Sequence, residues 1–137
     1  MWEKLYDFMN LLDKKIHEAK EMLLERFEWI CSQSPKAAKF MYENGTMAGY
    51  VPEEGIRSAL KHGTLAMGYI GIAEMCQALF GKNHAESLEA YEFAIQVVKR
   101  INEFAKEASE RHDLNFSCYA TPAEGLCSTA LKALRKQ

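Results

Sequence analysis

The sequence predicts a mainly α-helical fold with one or two short strands. Three observations carry this. Apolar residues recur every three or four positions from Trp2 to Ser32 with no intervening Gly or Pro, and a second long periodic run extends from Leu88 to about His112. Only two segments, Thr64–Tyr69 and Asn115–Ala120, are short and have strand-like composition. The second of these runs directly into Thr121-Pro122-Ala123-Glu124, the signature of a helix start.

In the first helix, Leu5, Met9, Leu12, Ile16, Ala19, Leu23, Phe27 and Ile30 form one stripe, and Lys4, Asp7, Lys14, Lys15, Glu18, Glu21, Glu25 and Glu28 cover the other face. Ser34 at the cap and Pro35 in the first turn open a second helix. It should stop near Asn44-Gly45, a natural left-handed terminus. Thr46–Val51 reads as a loop. Pro52-Glu53-Glu54 opens a third helix that runs through Lys61 and is closed by Gly63. Thr64–Tyr69 fits either a strand or the first turn of a helix over Ile70–Phe80, which Gly81 ends. Asn83 or Ser87 starts the next helix. Its expected apolar stripe is Leu88, Tyr91, Ile95, Val98, Ile101 and Phe104, with Ala94, Ala105 and Ala108. In a strand over Asn115–Ala120, Phe116, Cys118 and Ala120 share one side, and Ser117 and Tyr119 the other. A helix over Pro122–Lys136 completes the chain. The expected organisation is a long amphipathic helix over residues 1–33 and one compact helical and short-strand unit over 34–137, with no internal repeat.

The strand-to-helix turn is the best site candidate. In a capping box, Thr121 accepts from the third helical amide and Glu124 reaches back to the Thr121 N–H. Pro122 suits the first helical position. First-turn N–H groups and the helix dipole favour anions, and Gly125 permits close approach to the main chain. Thr121, Ala123, Glu124 and Gly125 are therefore the phosphate-binding candidates. The plainer reading is a well-capped helix, a cap being worth about 1 kcal/mol.

The same stretch carries a family resemblance. Tyr119-Ala-Thr-Pro-Ala-Glu-Gly-Leu126, preceded by Asn115-Phe116, resembles a motif of the anaerobic ribonucleoside-triphosphate reductases, which are glycyl-radical enzymes. Ala59-Leu-Lys-His-Gly-Thr-Leu-Ala-Met-Gly-Tyr-Ile-Gly-Ile-Ala-Glu74 is similar to the family's upstream strand-then-helix block, and Leu79–Glu89 fits its spacing. The resemblance covers about Ser34 to the C-terminus. It implies that Thr64–Tyr69 is a strand and that the region is part of a ten-stranded α/β barrel. Such a piece would pair its two strands with each other, melt one into helix, or self-associate. The resemblance further implies that ribonucleoside triphosphates are converted to deoxyribonucleotides for DNA replication by radical chemistry in the parent enzyme. It places Tyr119 and Glu124 in the catalytic pocket, where a carboxylate can take and return protons at the substrate hydroxyls. His62, in the Lys-His-Gly block, is a further substrate-pocket candidate, against its plainer reading as a helix-end histidine.

The family's radical cysteine, zinc site and glycyl-radical loop, and the iron–sulfur, S-adenosylmethionine-dependent activating protein, are expected outside this chain. Cys31, Cys76, Cys118 and Cys127 contain no Cys-x-x-Cys pair. No cofactor or metal is expected to bind this chain itself, which is then an internal piece of the reductase and inactive alone. Its partners are the nucleotide, the remainder of the barrel and a second copy in a homo-oligomer. A formal net charge of −2 carries no basic excess for nucleic acid, and no apolar run reaches the roughly 18 residues of a membrane span. Unpaired cysteines and an N-terminus unlike a secretory signal fit a cytoplasmic location. A reading of different class is a non-catalytic helical interaction module centred on Trp2–Ser32.

Overall fold

The computed structural model describes residues 1–123 and residue 125. The helix expected over Pro122–Lys136 lies, with Glu124 and Cys127, almost wholly outside the described residues. Helix α1 spans Trp2–Cys31, as its uninterrupted periodicity predicts. Leu5, Ile16 and Phe27 are buried along the expected stripe, and Lys20 is buried with them. The Ser32 hydroxyl donates to the Trp29 carbonyl at 2.7 Å and helps to close the last turn.

The second and third expected helices are each divided. Ser34 does cap the second, its Oγ accepting from the Lys36 N–H at 3.3 Å. Pro35–Ala38 then forms a tight 3-10 turn, and Ala38 at φ −134°, ψ 52° separates it from α2, Lys39–Glu43. Likewise Pro52–Glu54 is a 3-10 turn, and Gly55 at φ 70°, ψ −164° separates it from α3, Arg57–Leu60. The fully buried Ser58 stitches this corner together. Its hydroxyl accepts from the Val51 N–H at 2.8 Å and donates to the Gly55 carbonyl at 2.7 Å. Arg57 pairs with Glu28 of α1 and lies 5.2 Å from the Phe27 ring centroid, holding α3 against α1.

Thr64–Tyr69 is a strand, β1. Helix α4 follows over Ile72–Phe80 and ends at Gly81 in the left-handed region, φ 71°. Of the two candidate starts, Ser87 caps α5, Leu88–His112, accepting from the Ala90 N–H at 3.4 Å. Asn83 instead forms a local turn, its Oδ1 accepting from the Ala85 N–H at 2.9 Å. Strand β2, Asn115–Ala120, pairs with β1 in parallel, from Thr64 opposite Asn115 to Tyr69 opposite Ala120. Of the outcomes expected for the two strands, pairing with each other is the one found.

The buried stripe of α5 differs from expectation. Ala90, Phe93, Ala94, Val97, Ile101, Ala105 and Ala108 are buried, whereas Leu88 and Tyr91 are exposed. Apolar residues at 91, 93, 94, 95, 97 and 98 offer two overlapping stripes, and helical period alone does not choose between them. The neighbours choose. α4 presses against Ala90 and Ala94, and the fully buried Cys76 thiol donates to the Ala90 carbonyl at 3.4 Å.

One apolar cluster joins Leu5, Ile16 and Phe27 of α1, Leu65 and Met67 of β1, Phe93, Val97, Ile101, Ala105 and Ala108 of α5, and Phe116 of β2. Helices α1 and α5 run parallel. Phe8 meets Phe93 edge to face at 5.8 Å, Asp13 meets Arg100 further along, and Lys20 reaches the last turns of α5. Ser109 of α5 holds the start of β2. Its hydroxyl accepts from the Phe116 N–H at 2.8 Å and lies 3.3 Å from the Phe116 carbonyl oxygen. Because the Tyr69 carbonyl accepts from the Thr121 N–H at 2.9 Å, the main-chain groups of Phe116 point away from β1. Ser109 thus stands where a neighbouring strand would otherwise pair.

Arg100 grips Asp13 bidentately at 2.7 and 2.8 Å, which holds the Asp13 carboxyl below the ordinary aspartate range. Both side chains are more than a third exposed, so solvent screening limits the effect. A double-mutant cycle of Asp13→Asn and Arg100→Met, read by urea unfolding at pH 7, should give a coupling of about 0.5–1 kcal/mol. A depressed folded-state pKa means that this contribution is complete above the unfolded value near pH 4. It should fade as pH falls through the lower folded-state value. A coupling that persists unchanged at about pH 2 would contradict this assignment.

Candidate functional site

In register and parallel, β1 and β2 place their carboxyl ends, Tyr69 and Ala120, side by side. Each strand leaves this end through a short connection, Ile70-Gly71 into α4 and Thr121 onward after β2. In parallel α/β units this is the end where ligands bind, because loops and helix starts converge there. Gly71 adopts φ 90°, a conformation that side chains disfavour, and its carbonyl accepts the first α4 bond from Met75 N–H at 2.9 Å.

The sheet has two unlike faces. Leu65, Met67 and Phe116 are buried against the helices, while Thr64, Ala66, Gly68, Asn115 and Tyr119 are exposed on the other face. On that open face the Asn115 amide donates to Thr64 Oγ1 at 2.6 Å. Tyr119, 47% exposed, lies over Gly68. A Cβ at Gly68 would fall 3.4 Å from the Tyr119 ring and hydroxyl and would collide with Thr121 Oγ1. The absent side chain is what lets Tyr119 and Thr121 close over β1. The close packing made by Gly68 is therefore across the strand pair.

Thr121 corrects the expected capping box. Its N–H, which Glu124 was expected to reach, donates to the Tyr69 carbonyl at 2.9 Å and continues the sheet ladder by one residue. Ala123 is half-buried and Gly125 exposed at the following turn. The expected Glu124 carboxylate lies outside the described residues.

His62 is not brought to this site. It precedes β1 and so lies at the amino end of the sheet, about 20 Å away by the rise of a six-residue strand. There it is exposed and packs on Gly49, whose Cβ would fall 2.8 Å from the ring. The resemblance offered His62 as a substrate-pocket residue, and β1 lies between it and the Tyr69–Ala120 end of the sheet.

Among the described residues, no group of three His, Cys, Asp or Glu side chains is placed to hold a metal ion. Burial raises the Cys31 and Cys76 thiol pKa values, which keeps these groups protonated. Cys118 is half-buried, its Sγ 3.4 Å from Asn102 Oδ1. One residue at the sheet edge was not foreseen. Arg26 of α1 lines a groove of about 290 Å³ with Ala66 and Gly68, and it makes no ion pair among the described residues. On a helix already read as amphipathic, its charge was indistinguishable from an ordinary solvated face.

Residues 3–137 match the family model described as anaerobic ribonucleoside-triphosphate reductase. The chain belongs to this family. It is 30% identical over 125 residues to the anaerobic ribonucleoside-triphosphate reductase of Haemophilus influenzae, covering 88% of this chain and 18% of the relative. To the enzyme of that name from Escherichia coli it is 31% identical over 126 residues, 88% of this chain and 17% of the relative. To that of Enterobacteria phage T4 it is 27% identical over 123 residues, 88% and 19% respectively. The chain therefore spans just under a fifth of the length of these reductases.

In this reductase-family chain, Gly68→Ala should displace Thr121 and Tyr119 and destabilise the fold by about 1–3 kcal/mol. Hydrogen exchange at the Thr121 amide should quicken by more than the global loss of stability explains, because its bond to Tyr69 is broken locally. An unchanged Thr121 exchange rate would show that the contact does not hold the turn.

Proposed function

We propose that this chain is a piece of the catalytic barrel of an anaerobic ribonucleoside-triphosphate reductase, in which the Thr121–Gly125 turn receives the triphosphate tail of the substrate. The observation that carries this reading is the location of Thr121, which opens the turn, at the carboxyl end of a parallel strand, bonded to Tyr69 and beside the exposed Gly68. The proposed donors are the Thr121 hydroxyl and the amides of Ala123, Glu124 and Gly125. The Thr121 N–H is already held by Tyr69. That bond occupies the N–H on which the capping-box reading relied. In the second proposed role, Glu124 exchanges protons with the ribose hydroxyls while Tyr119 lines the same pocket.

The outer edge of β1, which pairs with no strand among the described residues, is where the remainder of the barrel would pair. Radical, zinc and activating chemistry belong to that remainder and its activating protein. The cysteines described here do not cluster, and no step is assigned to them. The role proposed for this piece is binding and proton handling, with no turnover by the isolated chain. In the intact reductase, Glu124→Gln should lower kcat by about 10²–10⁴-fold with unchanged folding, the usual range for losing a general acid–base group. Crystals soaked in sulfate should hold the anion within hydrogen-bond reach of the Ala123–Gly125 amides. Full activity of the variant would remove the proton-handling role, and a vacant turn would remove the phosphate role.

The interaction-module reading is less well supported, because α1 contributes Leu5, Ile16 and Phe27 to the same core as both strands. Deleting residues 1–33 should abolish cooperative unfolding of the rest. A folded monomer arising from a dimer would instead favour the module.

A further inference from the structure

Lys20 points from α1 into its contact with α5 and is only 5% exposed. Its ammonium meets the Glu21 carboxylate at 2.9 Å. An ammonium has three donors, and no second acceptor meets this one among the described residues. On the facing helix, the Nε2 of His112 is buried without a hydrogen-bond partner, the sole side-chain nitrogen or oxygen in that condition among the described residues. The two side chains line one small cavity of about 30 Å³, together with Phe104, Glu107, Ala108 and Arg111. A water molecule requires roughly 10–15 Å³ of such space and two to four polar partners. The residues of a buried ammonium and a buried unpartnered nitrogen thus line one void large enough for water.

We propose that this cavity is a water-binding site in which one ordered water bridges Lys20 and His112. The Lys20 ammonium donates to the water oxygen, and the water donates to His112 Nε2, so the ring proton resides on Nδ1. The chemistry favours water over an anion. The cations Lys20 and Arg111 are accompanied by the carboxylates Glu21 and Glu107, with His17 3.8 Å from Glu21 on the outer side, so the cavity has no fixed positive excess. The ring itself is set by Phe116, 6.1 Å away between centroids. The bridge is the third tie between the parallel helices, after Phe8–Phe93 and Asp13–Arg100. It acts on the last turn of α5, three residues before β2 begins, and so positions the strand that leads to the turn at Thr121.

The test uses the unmodified chain in solution. Nuclear Overhauser contacts from a long-lived water to the Ala108 methyl and the His112 ring, with ring nitrogen shifts of the Nδ1–H tautomer at neutral pH, are the expected result. A dry cavity or an Nε2–H tautomer overturns the proposal. So does an anomalous bromide peak in the cavity of crystals soaked in sodium bromide, which would make it an anion site. His112→Phe keeps the ring bulk and removes the acceptor. It should abolish the water signal at Ala108 and lower the thermal midpoint, and an undiminished signal there would also overturn the bridge. If this variant does not fold, the tautomer of the unmodified chain decides alone.

Discussion

The parallel pairing of β1 with β2 is the constraint to which the other elements answer. Parallel strands cannot be joined by a tight turn, so the chain between Tyr69 and Asn115 must cross back over the sheet. Helices α4 and α5 make that crossing, and α5 must meet the sheet, α4 and α1 at once. Hence its buried surface is broad and built from alanines where a neighbour approaches closely and from Phe93, Val97 and Ile101 where space must be filled. The same parallelism brings the carboxyl ends together and makes that end, with its two exit loops, the natural place for chemistry.

Around this frame, polar groups act mainly to set position, while apolar burial supplies most of the driving force. Ser58, Ser109 and Thr121 each place a hydrogen bond where the main chain leaves regular structure, which avoids the cost of buried unpaired groups. Asp13 with Arg100 and Glu28 with Arg57 lie at the helix margins, where they fix the setting of α1 on its neighbours more than they add stability. The open face of the sheet, lined by Thr64, Ala66, Gly68, Asn115 and Tyr119, is exposed among the described residues.

Much of this was readable one residue at a time. The unbroken stripe of α1, the left-handed Gly81 and the alternation in Asn115–Ala120 are local signals, and the corresponding elements appear, with Ser87 the one of two candidate caps that starts α5. Two expectations were changed by the structure. Ala38 and Gly55 interrupt helices whose starts were read correctly, because Pro35 and Pro52 favour a first turn without ensuring a second. The Glu124 half of the capping box was assigned without knowing that β1 would claim the Thr121 N–H.

Composition and local pattern by themselves determined that the chain is mainly helical, where its two long helices run, which two segments could be strands and which reductase family the chain resembles. Those features depend on dihedral preference, capping and side-chain spacing within a few residues. Only the tertiary structure decided that the two strands pair in parallel, which stripe of α5 is buried, that Gly68 admits Tyr119 and Thr121, and that Lys20 and His112 share a cavity. Each of these joins residues far apart in the chain, and such contacts are set by shape and by competition for hydrogen-bond partners in three dimensions.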